Sequence, residues 1–216
     1  MKINAKKSKI MPFNFCKKFD FLPQLHLPDS DPLEVIYETK LLGVTISSDL
    51  TWTSHVNDIV TRATKKLWTL IRFKNLGAST TQLITVYQTR IRSTLEFAAP
   101  VINSALTKEQ SNKMEMVQKK ALAIILSGNY NNYVSALNQV GLERLDKRRH
   151  DLSLSFAVKC TKSSQHKFMF PANTNFRANM RSPKPFKEFL CNTSRYFKSP
   201  IPYLARLLNK EGGYLA

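Results

Sequence analysis

Carboxylates are scarce in this chain: of its 216 residues only 15 are Asp or Glu, against 33 Lys or Arg, which leaves a formal net charge of +18. That imbalance points to a polyanionic partner. Nucleic acid is the usual one, because every phosphate neutralised by Lys or Arg releases condensed counterion and turns charge into affinity. Cysteine is scarce as well. Cys16, Cys160 and Cys191 are odd in number and far apart, which excludes a disulfide framework and a CxxC metal site and favours a reduced, intracellular setting, nucleus or cytoplasm. No apolar run approaches the roughly 18 residues that a membrane span needs. The opening MKINAKKSKIM carries charge with no apolar stretch after it, so neither secretion nor a membrane partner is expected. The four histidines, His26, His55, His150 and His166, form neither HxD nor HExxH, which removes the usual iron-oxygenase and zinc-protease patterns. There is no G-x-S-x-G, and no Cys lies near a His in a recognisable motif, so hydrolysis by a serine or cysteine nucleophile has no support.

What is present reads as a folded protein. The apolar fraction of 43% is that of a globular chain, and the length suits one domain or one domain with a tail. SKIMPFNF (8–15) and the pair LEVIYE and KLLGVTIS within 33–47 read as short strands, separated by a loop holding Pro23, Pro28 and Pro32. So few strands make a marginal sheet that must lean on helices or on a further domain. Asp29, Asp31 and Glu34 cluster in this loop, but Asp29-Ser30-Asp31-Pro32 is turn chemistry and no second acidic cluster faces it, so no metal is assigned there.

From Thr53 the apolar period changes to helical. Val56, Ile59, Val60, Ala63, Leu67, Leu70 and Ile71 fall on one face, with Thr53 or Ser54 as cap and Gly77 as stop. The opposite face carries Arg62, Lys65, Lys66 and Arg72, with Lys74 in the last turn. A second helix is expected from Ser79 or Thr80 towards Pro100, carrying Leu83, Ile84, Tyr87, Ile91, Leu95 and Phe97. A third begins at Thr107, where TKEQ matches a capping box, and ends at Ser127 and Gly128. Short and long helices follow over 133–140 and from Leu145 to about Cys160, the latter with the basic run Lys147, Arg148, Arg149. After Ser163 the periodicity fades into an extended basic arm. It holds Lys184, Lys187, Arg195 and Lys198 with Phe186 and Tyr196 between them, and only IPYLARLLNK (201–210) looks helical again. The expected fold class is α+β, mostly α: a small antiparallel strand unit (1–50), a helical bundle (51–162) and the arm (163–216).

The order of these pieces resembles the C-terminal part of non-LTR (LINE-type, jockey-like) retrotransposon reverse transcriptases. KINAKKSKIM is similar to the lysine-rich palm strand that follows the catalytic motif of that family. KLLGVTISSDLTWTSHV resembles its palm-to-thumb hairpin, with Gly43, Trp52 and His55 at the family's positions. VQKKALAIILSG (117–128) looks like the family's thumb-helix segment, and RYFKSPIPYLARLLN (195–209) like its closing segment. The likeness runs from about residue 2 to residue 210. Read alone, Trp52 is a hairpin anchor and His55 a packing or capping residue rather than a catalyst.

The resemblance implies a palm remnant plus thumb. Leu42, Gly43 and Val44 would sit in a hairpin that steadies the primer end, and Arg62, Lys65, Lys66, Arg72, Lys74, Lys119 and Lys120 would hold the phosphates of an RNA, DNA or RNA–DNA duplex. Magnesium belongs only to the complete polymerase, whose two metal ions are held by an Asp and an adjacent Asp pair. This chain has no Asp-Asp pair. By the family's order both catalytic segments lie ahead of Met1, so no cofactor and no polymerase activity are expected of the chain alone, and the absent palm and fingers are its natural partner. Two other readings stand beside this one: a free-standing basic scaffold for nucleic acid or protein, and one end of a complete polymerase whose reading frame has been split. The presence or absence of an Asp-Asp turn upstream in the gene separates them.

Overall fold

The hairpin that carries Leu42, Gly43 and Val44 is closed by a two-residue turn. Leu42 and Gly43 have φ of 48° and 85°, the pair of positive values that a tight hairpin turn of matching twist demands. β3 (Glu38–Leu41) and β4 (Val44–Ser47) therefore pair antiparallel, Leu41 opposite Val44 and Glu38 opposite Ser47. The turn falls inside the stretch expected to be one strand, KLLGVTIS, and Leu42 at its tip is 90% exposed. LEVIYE is likewise divided. β2 (Glu34–Val35) leaves the hairpin and pairs parallel with β1 (Lys9–Ile10), tied by the Ile36 amide donating to the Ile10 carbonyl at 2.8 Å. The strand unit thus contains a parallel pair as well as the expected antiparallel one. These observations come from a computed structural model that describes residues 4, 7–15, 24–26, 32–174 and 184–211. Asp29 and Asp31 lie outside the described residues.

The chain divides into two compact units, residues 1–58 and 59–216. In the first, His55 is fully buried, its Nδ1 accepts from the Thr45 amide at 3.3 Å, and the Trp52 ring meets it edge-on with centroids 6.2 Å apart. Both residues read as anchors of the hairpin, in line with the packing role the sequence suggests.

Helix α1 (Thr53–Asn75) begins in the first unit and continues in the second. Its core stripe of Val56, Ile59, Ala63, Leu67 and Leu70 is buried, whereas Ile71, expected on the same stripe, is 42% exposed. The helix closes with Gly77 at φ 81°, its amide donating to the Lys74 carbonyl at 2.9 Å and the Ala78 amide to the Phe73 carbonyl at 3.1 Å. This is the paired bonding by which a left-handed glycine ends a helix. The next helix is not continuous to Pro100. α2 (Thr80–Val86), capped reciprocally by Ser79 and Gln82, passes into a π-helical segment, Tyr87–Arg92, and then α3 (Ser93–Leu95). Ala98, at φ 56°, breaks the path before α4 (Ala99–Ile102). The wider π turn puts Tyr87 and Ile91 in the core, while Phe97, expected to be apolar packing, stays 44% exposed.

α5 (Lys108–Leu126) starts at the expected capping box: Thr107 Oγ1 accepts from the Gln110 amide at 3.1 Å, and the Thr107 amide donates to Gln110 Oε1 at 2.9 Å. α6 (Tyr133–Val140) ends at Gly141 in the left-handed region, and α7 (Leu145–Lys162) runs on from it. α7 packs against α4 and α5, and against α9 (Pro200–Glu211), which the short α8 (Ser194–Phe197) precedes. The last 50 or so residues are therefore not the extended arm expected from their composition, at least over the described part. Ala157 and Cys160 of α7 share a buried cluster with Phe170 and with Leu204, Ala205, Leu207 and Leu208 of α9, and Ala172 bridges Phe186. The fold is α+β and mostly helical. Among the described residues no helix is long and apolar enough to cross a membrane.

Candidate nucleic-acid interface

The lysines and arginines singled out on α1 separate into two groups when their surroundings are read one by one. Lys66 is half-buried, and its ammonium donates to Thr94 Oγ1 at 2.7 Å and to the Arg90 carbonyl at 3.1 Å. The Arg90 carbonyl belongs to the π segment and also accepts from the Thr94 hydroxyl at 2.9 Å, so Lys66 satisfies backbone at an irregular turn. Lys74 reaches the Ile124 carbonyl in the last turn of α5, where a helix leaves acceptors open and its dipole favours a cation. That bond joins the C-terminal ends of α1 and α5. Arg62 is half-buried on the flank of the helix. Lys66 and Arg62 thus do not stand on the open face where the sequence placed them: both are half-buried, and Lys66 is engaged by Arg90 and Thr94.

Lys65 and Arg72 do stand on that face. Both are exposed, and neither has a carboxylate within ion-pair distance among the described residues. Between them lies Trp68, 61% exposed, with the Arg72 guanidinium 4.8 Å from its ring centroid. Steps of three and four residues place Lys65, Trp68 and Arg72 on one face, opposite the buried stripe. Trp68 was not singled out from sequence. In a helix rich in apolar residues an indole reads as core, and only its phase against Leu67 and Leu70 could have marked it as outward.

On α5, Lys120 is exposed and Lys119 lies over the Tyr133 ring at 5.1 Å. The inner face of α5 is a buried polar network rather than plain packing. The Tyr87 hydroxyl donates to Gln118 Oε1, Gln118 Nε2 donates to Tyr133 Oη and to the Glu143 carbonyl, each at 2.9 Å, and the Tyr133 hydroxyl donates to Glu115 Oε1. Burial pushes both phenols far above the ordinary tyrosine range, with the Glu115 carboxylate adding to the effect at Tyr133.

The basic run of α7 is occupied by partners within the chain, Lys147 at the surface and Arg148 and Arg149 progressively more buried. Lys147 bonds Glu143, Arg148 grips Glu96 with two nitrogens, and Arg149, 1% exposed, donates to Ser111 Oγ at 2.7 Å. Desolvation holds Arg149 below the usual arginine value. In the C-terminal stretch Lys184 pairs with Glu188 at 2.9 Å and Phe186 packs against the α7–α9 cluster, while Lys187, Arg195, Tyr196 and Lys198 are exposed. The remaining candidates are dispersed. Glu34 pairs with Lys9 at 2.9 Å, His150 meets Glu211 at 2.8 Å, His166 meets Ser163 Oγ at 3.0 Å, and His26 lies exposed in a bridge to Pro32. No group of three or more His, Cys, Asp or Glu is gathered to hold a metal ion among the described residues.

The arrangement offers open cations, one exposed indole and a large positive charge. It can hold phosphates and a ring. No known protein family, no characterised protein and no solved structure matches this chain.

Proposed function

We propose that the chain is the palm end and thumb of a non-LTR retrotransposon reverse transcriptase, and that it grips template–primer nucleic acid without catalysing polymerisation itself. The order of motifs from the lysine-rich opening to the closing segment supports the origin. One observation carries the binding: the face of α1 opposite its core presents Lys65 and Arg72 without carboxylate partners among the described residues, in a chain of net charge +18. Cations of this kind meet phosphate oxygens and fix position, not sequence. A duplex containing RNA is A-like, with a deep major groove closed to side chains, so recognition runs through backbone and shape. The hairpin of Leu42, Gly43 and Val44 is then the primer-side element, its bare tip free to touch a strand end. The complete polymerase supplies magnesium and the carboxylates, and the palm and fingers are the chain's protein partner. Such a protein works inside the cell, in nucleus or cytoplasm.

A scaffold for another protein is the second reading. It is favoured by an open groove of about 560 Å³ between the end of α1 and α2, lined by Phe73, Leu76, Ala78, Gln82 and Val86, with Leu76 83% exposed. Polarisation titrations of labelled RNA–DNA hybrids of unrelated sequence test the first reading. The expected result is similar affinity for all sequences, falling by about a few powers of ten between low and moderate salt. Absence of binding at low salt by the folded chain would leave the scaffold as the better account.

A further inference from the structure

Trp68 is 61% exposed on the face of α1 opposite its buried stripe. Trp68 is also held in place: Arg72, one turn on, covers one ring face at 4.8 Å. With that face under the guanidinium, a planar ligand has the other face to stack on. We infer that Trp68 is a stacking platform for an unpaired nucleobase, so that the chain binds a single-stranded stretch of RNA or DNA, or a frayed strand end, beside the duplex. This inference rests on the nucleic-acid reading above and adds the ligand's strandedness to it.

The chemistry of that helix face selects this ligand. Within a duplex both faces of every base are already stacked, so only an unpaired or terminal base has a face to give to Trp68. Lys65 precedes the indole by one turn and Arg72 follows it by one turn, which spreads the two cations over roughly 10 Å of helix. The order cation, aromatic, cation matches phosphate, base, phosphate along one strand. Arg72 keeps its edge nitrogens for phosphate because no carboxylate pairs with it among the described residues. Stacking of this kind tolerates any base, since all have a π face. An acidic peptide would meet the same cations, but it brings a planar ring only at particular residues, whereas every nucleotide carries one beside its phosphate.

Fluorescence titration of the full chain with a short oligouridylate, which has no structure of its own, tests the inference. Trp52 and Trp68 are the two tryptophans, so a Trp68→Phe chain reports Trp52 alone. Quenching is expected in the native chain and not in Trp68→Phe. Affinity is expected to fall about tenfold or more in Trp68→Ala and to be largely regained in Trp68→Phe. Affinity for a covalently closed circular duplex, which has no terminal base to stack, should change little in either variant. Because Trp68 lies outside the core, both variants are expected to keep the native circular dichroism and melting temperature. Oligouridylate affinity unchanged in Trp68→Ala, with duplex binding intact, would overturn the stacking platform and leave duplex binding standing; a change in self-association there instead would assign Trp68 to a protein contact. Failure of the native chain to bind either ligand at low salt would overturn the nucleic-acid reading and this inference with it.

Discussion

The Lys66 ammonium donates to Thr94 Oγ1 at 2.7 Å across the gap between α1 and the turn that follows the π segment. One residue earlier, Lys65 points to solvent. Two adjacent lysines of the same helix therefore do different work, and the difference is measurable. Lys66→Ala removes donors from a partly buried carbonyl and hydroxyl and should lower unfolding stability by about 1–2 kcal/mol in urea, with little effect on the salt dependence of binding. Lys65→Ala should do the reverse. Equal stability losses for the two variants would contradict the assignment.

Alkaline unfolding follows from the buried phenols. Tyr87 and Tyr133 have hydroxyl pKa values raised by burial, while an exposed tyrosine in the unfolded chain ionises near about 10. Above about that pH the unfolded state releases phenolic protons that the folded state keeps, so stability is full below it and falls as pH rises through it. Tyr87→Phe should flatten the fall between neutral pH and the alkaline limit, at a fixed cost at neutral pH because Gln118 Oε1 loses its donor. A Tyr87→Phe chain with the same alkaline slope as the native one would show that this phenol ionises normally.

Hydrogen exchange should rank the elements. β1 and β2 pair over two residues each, with edges open to solvent, whereas α5 has a satisfied capping box and a buried inner face. The Ile36 amide should exchange long before those of Met114 to Leu122. Protection of Ile36 equal to that of α5 would mean that the strand pair is stabilised by more than its two rungs.

Much of this was legible in the sequence, for local reasons. Thr107 and Gln110 sit three apart before an apolar stripe, and that spacing alone dictates the cap of α5. Gly77 and Gly141 sit where a helix must turn left-handed, and both do so. The hidden features depend on tertiary partners. Nothing in the spacing of Lys66 reveals the π segment whose carbonyl it meets, and nothing in Arg148 and Arg149 reveals Glu96 or Ser111 beside them. The stretch after Ser163 looked like an arm because its apolar residues are irregularly spaced, yet Phe170 and Phe186 need no helical period to pack on α7. Trp68 was missed because composition cannot say on which side of a helix an indole lies.

Primer extension on a poly-A template with oligo-dT should give no product at any magnesium or manganese concentration. The chain contains no adjacent aspartates, and Glu34 is engaged with Lys9 at 2.9 Å. Incorporation abolished by Asp29→Ala or Asp31→Ala would establish a catalytic centre in the loop and sink the assignment to a non-catalytic end.

Whether the open face of α1 holds the phosphates of nucleic acid is tested most directly by the salt dependence of affinity for an RNA–DNA hybrid. The slope of log affinity against log salt should flatten by about two in a Lys65→Ala, Arg72→Ala double variant, one for each lost phosphate contact, and be nearly unchanged in Lys66→Ala. A double variant that folds as the native chain does and retains both its affinity and its slope would show that this face does not hold them.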